Sequence, residues 1–95
     1  MAWLEPKKYL TTVKLSEIAN IDIFLQIINK YRNYYTLKSG KYIADAKSLL
    51  GIFSLDLTKG LDLYVDTAEE EIVDLLQELE QADLICGKDK NNGKD

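Results

Sequence analysis

From Ile18 to Tyr31 apolar residues recur at spacings of three and four: Ile18, Ile21, Leu25 and Ile28, with Phe24 and Tyr31 widening the stripe. This is the signature of a helix with one buried face. Ser16 is the expected N-cap, and Asn20, one turn later, is a rival start. The preceding stretch, "KYLTTVKL" from Lys8 to Leu15, alternates imperfectly and is rich in β-branched residues, as a strand would be. Alternation puts Tyr9, Thr11 and Val13 on one side and Leu10, Thr12 and Lys14 on the other.

After the helix, "NYYTL" from Asn33 to Leu37 reads as a short strand, and the glycine turn in "KSGKY" returns the chain through a second strand, Lys41 to Ala44. A short helix is expected from Ala46 or Ser48 to Phe53. Asp56 and the "TKG" turn then lead into "LDLYV", with Leu61, Leu63 and Val65 on one face. Thr67 and Glu70 have capping-box spacing, Glu69 and Glu71 add negative charge to the first turn, and Ile72, Leu75 or Leu76, Leu79 and Ala82 form an apolar stripe.

The predicted order is strand, helix, strand, strand, helix, strand, helix. A four-stranded antiparallel sheet covered on one face by three helices buries every stripe at once, which defines an α+β open-faced sandwich. Residues 1–7 read as an N-terminal extension, 8–85 as the domain and 86–95 as a polar tail expected to be disordered.

Composition narrows the function. A chain of 95 residues suits one domain. Its 12 Lys and Arg against 16 Asp and Glu leave a formal charge of −4, which disfavours nucleic acid and anionic membranes as partners. There is no histidine, and the single cysteine, Cys86, can make no internal disulfide. A metal site would have to be assembled almost wholly from carboxylates, so no metal and no cofactor are expected. No apolar run approaches the roughly 20 residues that span a bilayer, and "MAWLEPKK" lacks the apolar segment of a signal peptide. A cytoplasmic location is expected.

The element order and the stretch "AKSLLGIFSLDLTKG" together resemble the histidine-containing phosphocarrier protein (HPr) family of the sugar phosphotransferase system. The resemblance runs from about Tyr9 to Gln81 and is most specific in that stretch, which is similar to the family's regulatory-serine motif. It implies the open-faced sandwich and a histidine at the start of the first helix that carries phosphate. The corresponding position falls near Ser16, with Glu17 and Ile18 where a basic helper would stand. A serine would form a stable ester rather than a labile N–P bond, and Glu17 would repel an incoming phosphoryl group. The chain therefore resembles divergent members without carrier chemistry.

The resemblance places the family's kinase-phosphorylated serine on Ser48, with Lys47 beside it as a residue that could hold the phosphate; the plainer role of Ser48 is to cap the helix. It also implies a partly apolar docking patch, to which Leu49 contributes and for which Ser16, Lys47, Gly51 and Phe53 are further candidates. Phe53 divides evenly between core and contact surface, and Gly51 permits a close approach of another chain or of the domain's own backbone. Ile52, Leu55 and Leu57 are expected in the core. The expected function is a regulatory protein-interaction module, not an enzyme. Its partners would be a phosphotransferase-system enzyme, a serine kinase or a transcription regulator.

The alternative is a sheet-side module for RNA or single-stranded nucleic acid, suggested by the interleaving of Tyr31, Arg32, Tyr34, Tyr35 and Lys38. Tyr34 and Tyr35 point to opposite sides of a strand, which already limits such a platform. The acidic run Glu69 to Glu71 is explained by helix-start electrostatics, and Cys86 by an inert thiol.

Overall fold

The computed structural model describes residues 8–66 and 71–86. The elements are β1 (Lys8–Val13), α1 (Ile18–Ile28), β2 (Tyr35–Ser39), β3 (Tyr42–Asp45), α2 (Leu49–Phe53), β4 (Leu61–Val65) and α3 (Ile72–Gln81). The strands form one antiparallel sheet in the order β1-β4-β2-β3, so the last strand sits between the first two. This is the expected open-faced α+β sandwich.

One sheet face forms the floor of the core. Val13, Leu37, Leu61, Leu63 and Val65 are fully buried, and Tyr35 nearly so. Above them lie Ile21, Phe24, Ile27 and Ile28 of α1, Ile52 of α2, and Leu75 and Leu79 of α3. Leu55 joins this core, and Leu57 packs against it half-buried. The other face is polar: the Tyr9 and Tyr64 rings meet edge-on at 5.7 Å, and the Thr12 hydroxyl donates to Asp62 at 3.0 Å. One packed face and one polar face is the usual state of an antiparallel sheet.

Four local features depart from the expected pattern. β1 ends at Val13, and its register shifts between Tyr9 and Thr11, so Tyr9 opposes Tyr64 while Thr11 opposes Leu63. The bulge turns Tyr9 to the polar face instead of sharing a face with Thr11 and Val13. β2 starts two residues later than expected because Asn33 is held in the preceding loop by Glu71. β3 is shifted one residue, with Gly40 (φ 62°) supplying the positive φ of a two-residue loop between the paired Ser39 and Tyr42. Neither Ser16 nor Asn20 caps α1: Glu17 occupies the N-cap position, in extended conformation and without a side-chain cap bond.

The expected capping box at Thr67 and Glu70, with Glu69, lies outside the described residues, as do residues 1–7 and most of the tail. Beyond α3 the chain turns through Asp83 (φ 62°), buries Leu84 and returns to the free edge of β1. Lys14 N–H donates to the Leu84 carbonyl at 2.7 Å and Cys86 N–H to the Thr12 carbonyl at 2.9 Å. Cys86 is thus tied to the sheet edge.

Candidate functional site

The first turns of α1 and the whole of α2 stand apart at the surface and leave an apolar groove of about 540 Å³ between them. Ile18, Ile21 and Leu25 of α1 form one wall, and Leu49 and Phe53 of α2 form the other. Ile18 is 75% exposed, Leu49 47%, Phe53 48%, and the neighbouring Leu50 81%. Large apolar side chains left at the surface in one contiguous patch mark an interaction surface more often than chance exposure does.

Local chemistry explains this arrangement. The Ser48 hydroxyl accepts the Gly51 N–H at 3.1 Å, capping α2 and fixing where it begins. In the five-residue helix that follows, Ile52 is fully buried, so Leu49 and Phe53, four residues apart on another side, are left facing outward. The Ser54 hydroxyl closes the helix by donating to the Gly51 carbonyl at 2.6 Å. Asp56 then accepts from both the amide and the hydroxyl of Thr58, forming the turn that leads to β4. These bonds hold the Asp56 carboxyl below its ordinary value.

The candidate residues divide. Leu49 and Phe53 line the groove, which settles Phe53 as surface. Ser48 stands one residue before it, half-buried and engaged as a cap. Gly51 faces inward: a Cβ there would come within 3.3 Å of the Ala44 Cβ, so its missing side chain lets α2 press on β3 and is not a contact for another chain. Lys47 also turns inward. Its ammonium donates to the Tyr31 carbonyl at 2.5 Å and lies 5.8 Å from the centre of the Tyr35 ring, so it does not hold the Ser48 hydroxyl. Ser16 is exposed on the β1–α1 connection, two residues before Ile18, and does not line the groove.

Ile18 is the residue whose role the periodicity misplaced. It belongs to the predicted stripe but lies beyond the buried face of α1, which begins at Ile21. Its i, i+7 relation to Leu25 is the signal that both could serve a second apolar surface.

A polar cluster lies at the start of α3. The Glu71 carboxylate accepts from the amides of Arg32 (2.9 Å) and Asn33 (2.7 Å) and from the Tyr35 hydroxyl (2.8 Å). Burial would raise the Glu71 carboxyl, but those donors and the nearby Lys47 charge together hold it below its ordinary value. Glu78 accepts from Lys30 at 2.5 Å and from the Tyr31 hydroxyl. Desolvation, aided by the bond to Glu78, pushes the Tyr31 phenol up to about 12, and desolvation likewise raises Tyr35.

The same bonds disperse the aromatic and basic residues of the nucleic-acid alternative. Tyr35 is in the core, Tyr31 is tied to α3, and Lys38 stands on the polar sheet face opposite Asp62. Tyr34 is exposed beside a second, polar depression of about 330 Å³ that Asp45 and Asp66 also line, and those carboxylates repel phosphate. Among the described residues no cluster of three or more metal-ligating side chains occurs, and no helix is long and apolar enough to cross a membrane.

No protein-family model matches the chain, and no curated protein matches it. What the fold and its surface define is a class: an antiparallel open-faced α+β domain with an apolar groove between its first two helices.

Proposed function

We propose that this chain is a regulatory protein-interaction module of phosphocarrier-like design that docks another protein in the groove between α1 and α2 and does no phosphoryl-transfer or other enzymatic chemistry. The observation that carries the reading is the outward exposure of Leu49 and Phe53 opposite Ile18, at a cost in exposed apolar surface that a purely structural helix would not need. The absence of histidine from the sequence supports a lack of carrier chemistry, because imidazole is the side-chain nitrogen that is an unprotonated nucleophile near neutral pH and forms a labile N–P bond.

In this reading the partner is a cytoplasmic protein of the phosphotransferase type: an enzyme of that system, a serine kinase or a transcription regulator. Ser48 is the proposed regulatory position. Phosphorylation there would bring roughly −1.5 to −2 units of charge beside the apolar wall formed by Leu49 and add acceptor oxygens next to the Gly51 N–H that the Ser48 oxygen accepts. Lys47 would have to leave the Tyr31 carbonyl to meet that charge.

The test is a comparison of wild type, Leu49→Asp and Ser48→Asp in binding to purified phosphotransferase enzymes, their serine kinase and sugar-responsive regulators. A complex that Leu49→Asp weakens while leaving the melting curve intact supports the reading. Binding of every partner at wild-type strength by the folded Leu49→Asp variant would remove the groove from consideration. Incubation with the serine kinase and ATP, followed by mass spectrometry, tests Ser48 separately: label elsewhere or none rejects it.

A further inference from the structure

The groove has a shape and a charge that narrow what can fill it. Its α1 wall runs from Ile18 to Leu25, seven residues or about 10 Å of helix, and residues at i, i+3 and i+7 supply its apolar surface. Its α2 wall, Leu49 and Phe53, covers about one further turn. A trough of this length between two helices, with apolar positions on both sides, matches a third helix laid along it with anchors at i, i+4 and i+7. A small-molecule site would carry several convergent polar groups, whereas among the described residues this groove has a single charged one.

That charged group is Asp22. Its side chain accepts from the neutral Gln26 amide at 3.0 Å, which leaves the negative charge in place. Glu17, exposed and making no capping bond, stands one residue before Ile18, outside the groove's lining, and carries a second negative charge. Among the described residues no lysine or arginine lines the groove. Lys47, the cation nearest to Leu49 in sequence, is turned away onto the Tyr31 carbonyl. The net charge of −4 extends the same sign to longer range.

We infer that the occupant is an amphipathic helix of another protein whose apolar stripe is flanked by lysine or arginine. This rests on the docking role proposed above and adds the partner's chemistry to it. The apolar stripe fills the trough between Ile18, Leu49 and Phe53, and the basic flank reaches Asp22 and Glu17. An acidic helix of equal hydrophobicity meets two like charges and is rejected.

Two synthetic fluorescein-labelled peptides of about four helical turns test this. One carries leucines at i, i+4 and i+7 flanked by lysines; its twin has glutamate at every lysine position. Fluorescence anisotropy at about 0.1 M salt, where screening acts over about 10 Å, should show the lysine peptide binding at least about tenfold more tightly than its twin, with the gap closing near 1 M. The double variant Glu17→Lys with Asp22→Lys should reverse the preference. Leu49→Asp, and Phe53→Ala as a milder second variant, should each abolish binding of the lysine peptide while circular dichroism melts confirm folding.

Equal binding of both peptides, lost in Leu49→Asp, overturns the charge rule and leaves the docking role standing. Binding of the lysine peptide that survives both groove variants overturns the docking role as well, since attraction to an acidic chain then accounts for it. A proline-broken peptide of the same composition that binds as tightly rejects the helical occupant, and failure of both peptides to bind rejects the proposal outright.

Discussion

Replacing Glu71 by alanine should produce one of the largest losses of stability available from a side chain that is not in the apolar core. Its carboxylate accepts three bonds from the α1–β2 loop and β2, and one of those donors, the Asn33 amide, belongs to a residue that is only 4% exposed. Charge-assisted bonds contribute about 1.5–3 kcal/mol each where buried, and a buried donor left unpaired costs about 1–3 kcal/mol. Glu71 itself is half-buried, so water recovers part of this and the three bonds do not add. The expected loss is about 2–4 kcal/mol, a large fraction of the 5–15 kcal/mol typical of a domain. In a chain of this size that lowers Tm by roughly 10–25 °C. Glu71→Gln should fall between, since its single carbonyl can still accept while its amide NH₂ faces another donor. Urea titration followed by circular dichroism measures both variants.

The pH arm has a definite sign. The folded Glu71 carboxyl lies below its ordinary value of 4.5, so its stabilisation is fully present above that pH and is lost as the pH falls through the folded value. The difference between wild type and Glu71→Ala should therefore be constant above pH 4.5 and shrink below it. A Glu71→Ala variant within about 0.5 kcal/mol of wild type at neutral pH would refute the reasoning and reduce the three bonds to surface contacts.

Ile52→Asp should unfold the domain, because it places a carboxylate at a fully buried position, whereas Leu49→Asp should stay within about 0.5 kcal/mol of wild type; thermal melts distinguish the two. Ser48→Ala removes the bond accepted from Gly51 N–H and should cost about 1 kcal/mol by urea titration, with Ser48→Asp recovering part of it because a carboxylate also caps. In spectrophotometric titration, Tyr31→Phe should delete the phenolate step near pH 12. The Tyr31 phenol is raised on folding, so its stabilisation holds below the ordinary 10.0 and is lost as pH rises through about 12; the variant should lose less stability across that window.

How much of this was legible in the sequence depended on the range of the interaction. The order of elements, the α2 cap at Ser48 and the inward Ile52 follow from local patterns, and all three appear where the periodicity puts them. The bulge in β1 does not, because it depends on how Tyr9 meets Tyr64 of a strand more than 50 residues away. Lys47 was legible as a cation beside Ser48 but not as a side chain drawn to the Tyr31 carbonyl, which only the folded loop presents. Glu71 read as one of three helix-start acids, and nothing in a run of identical residues says which will reach Arg32 and Asn33. The groove was half legible: Leu49 and Phe53 could be named, but Ile18 joined them only once the buried face of α1 was seen to begin at Ile21.

The polar network and the apolar groove are parts of one arrangement. Lys47, just before α2, is fastened to the carbonyl of Tyr31, just after α1, and Glu71 fastens the next two residues of that loop to the start of α3. Those bonds hold the end of α1 and the beginning of α2 at one side of the domain, while Gly51 lets α2 lie close on β3. With both helices held from beneath and behind, their outward faces need no contact with each other, and the space between them stays open. The same bonds withdraw Lys47 and Tyr31 from the surface. Among the described residues the groove's lining is apolar apart from Asp22, and with Lys47 drawn onto the Tyr31 carbonyl the positive charge the groove lacks must come from whatever enters it.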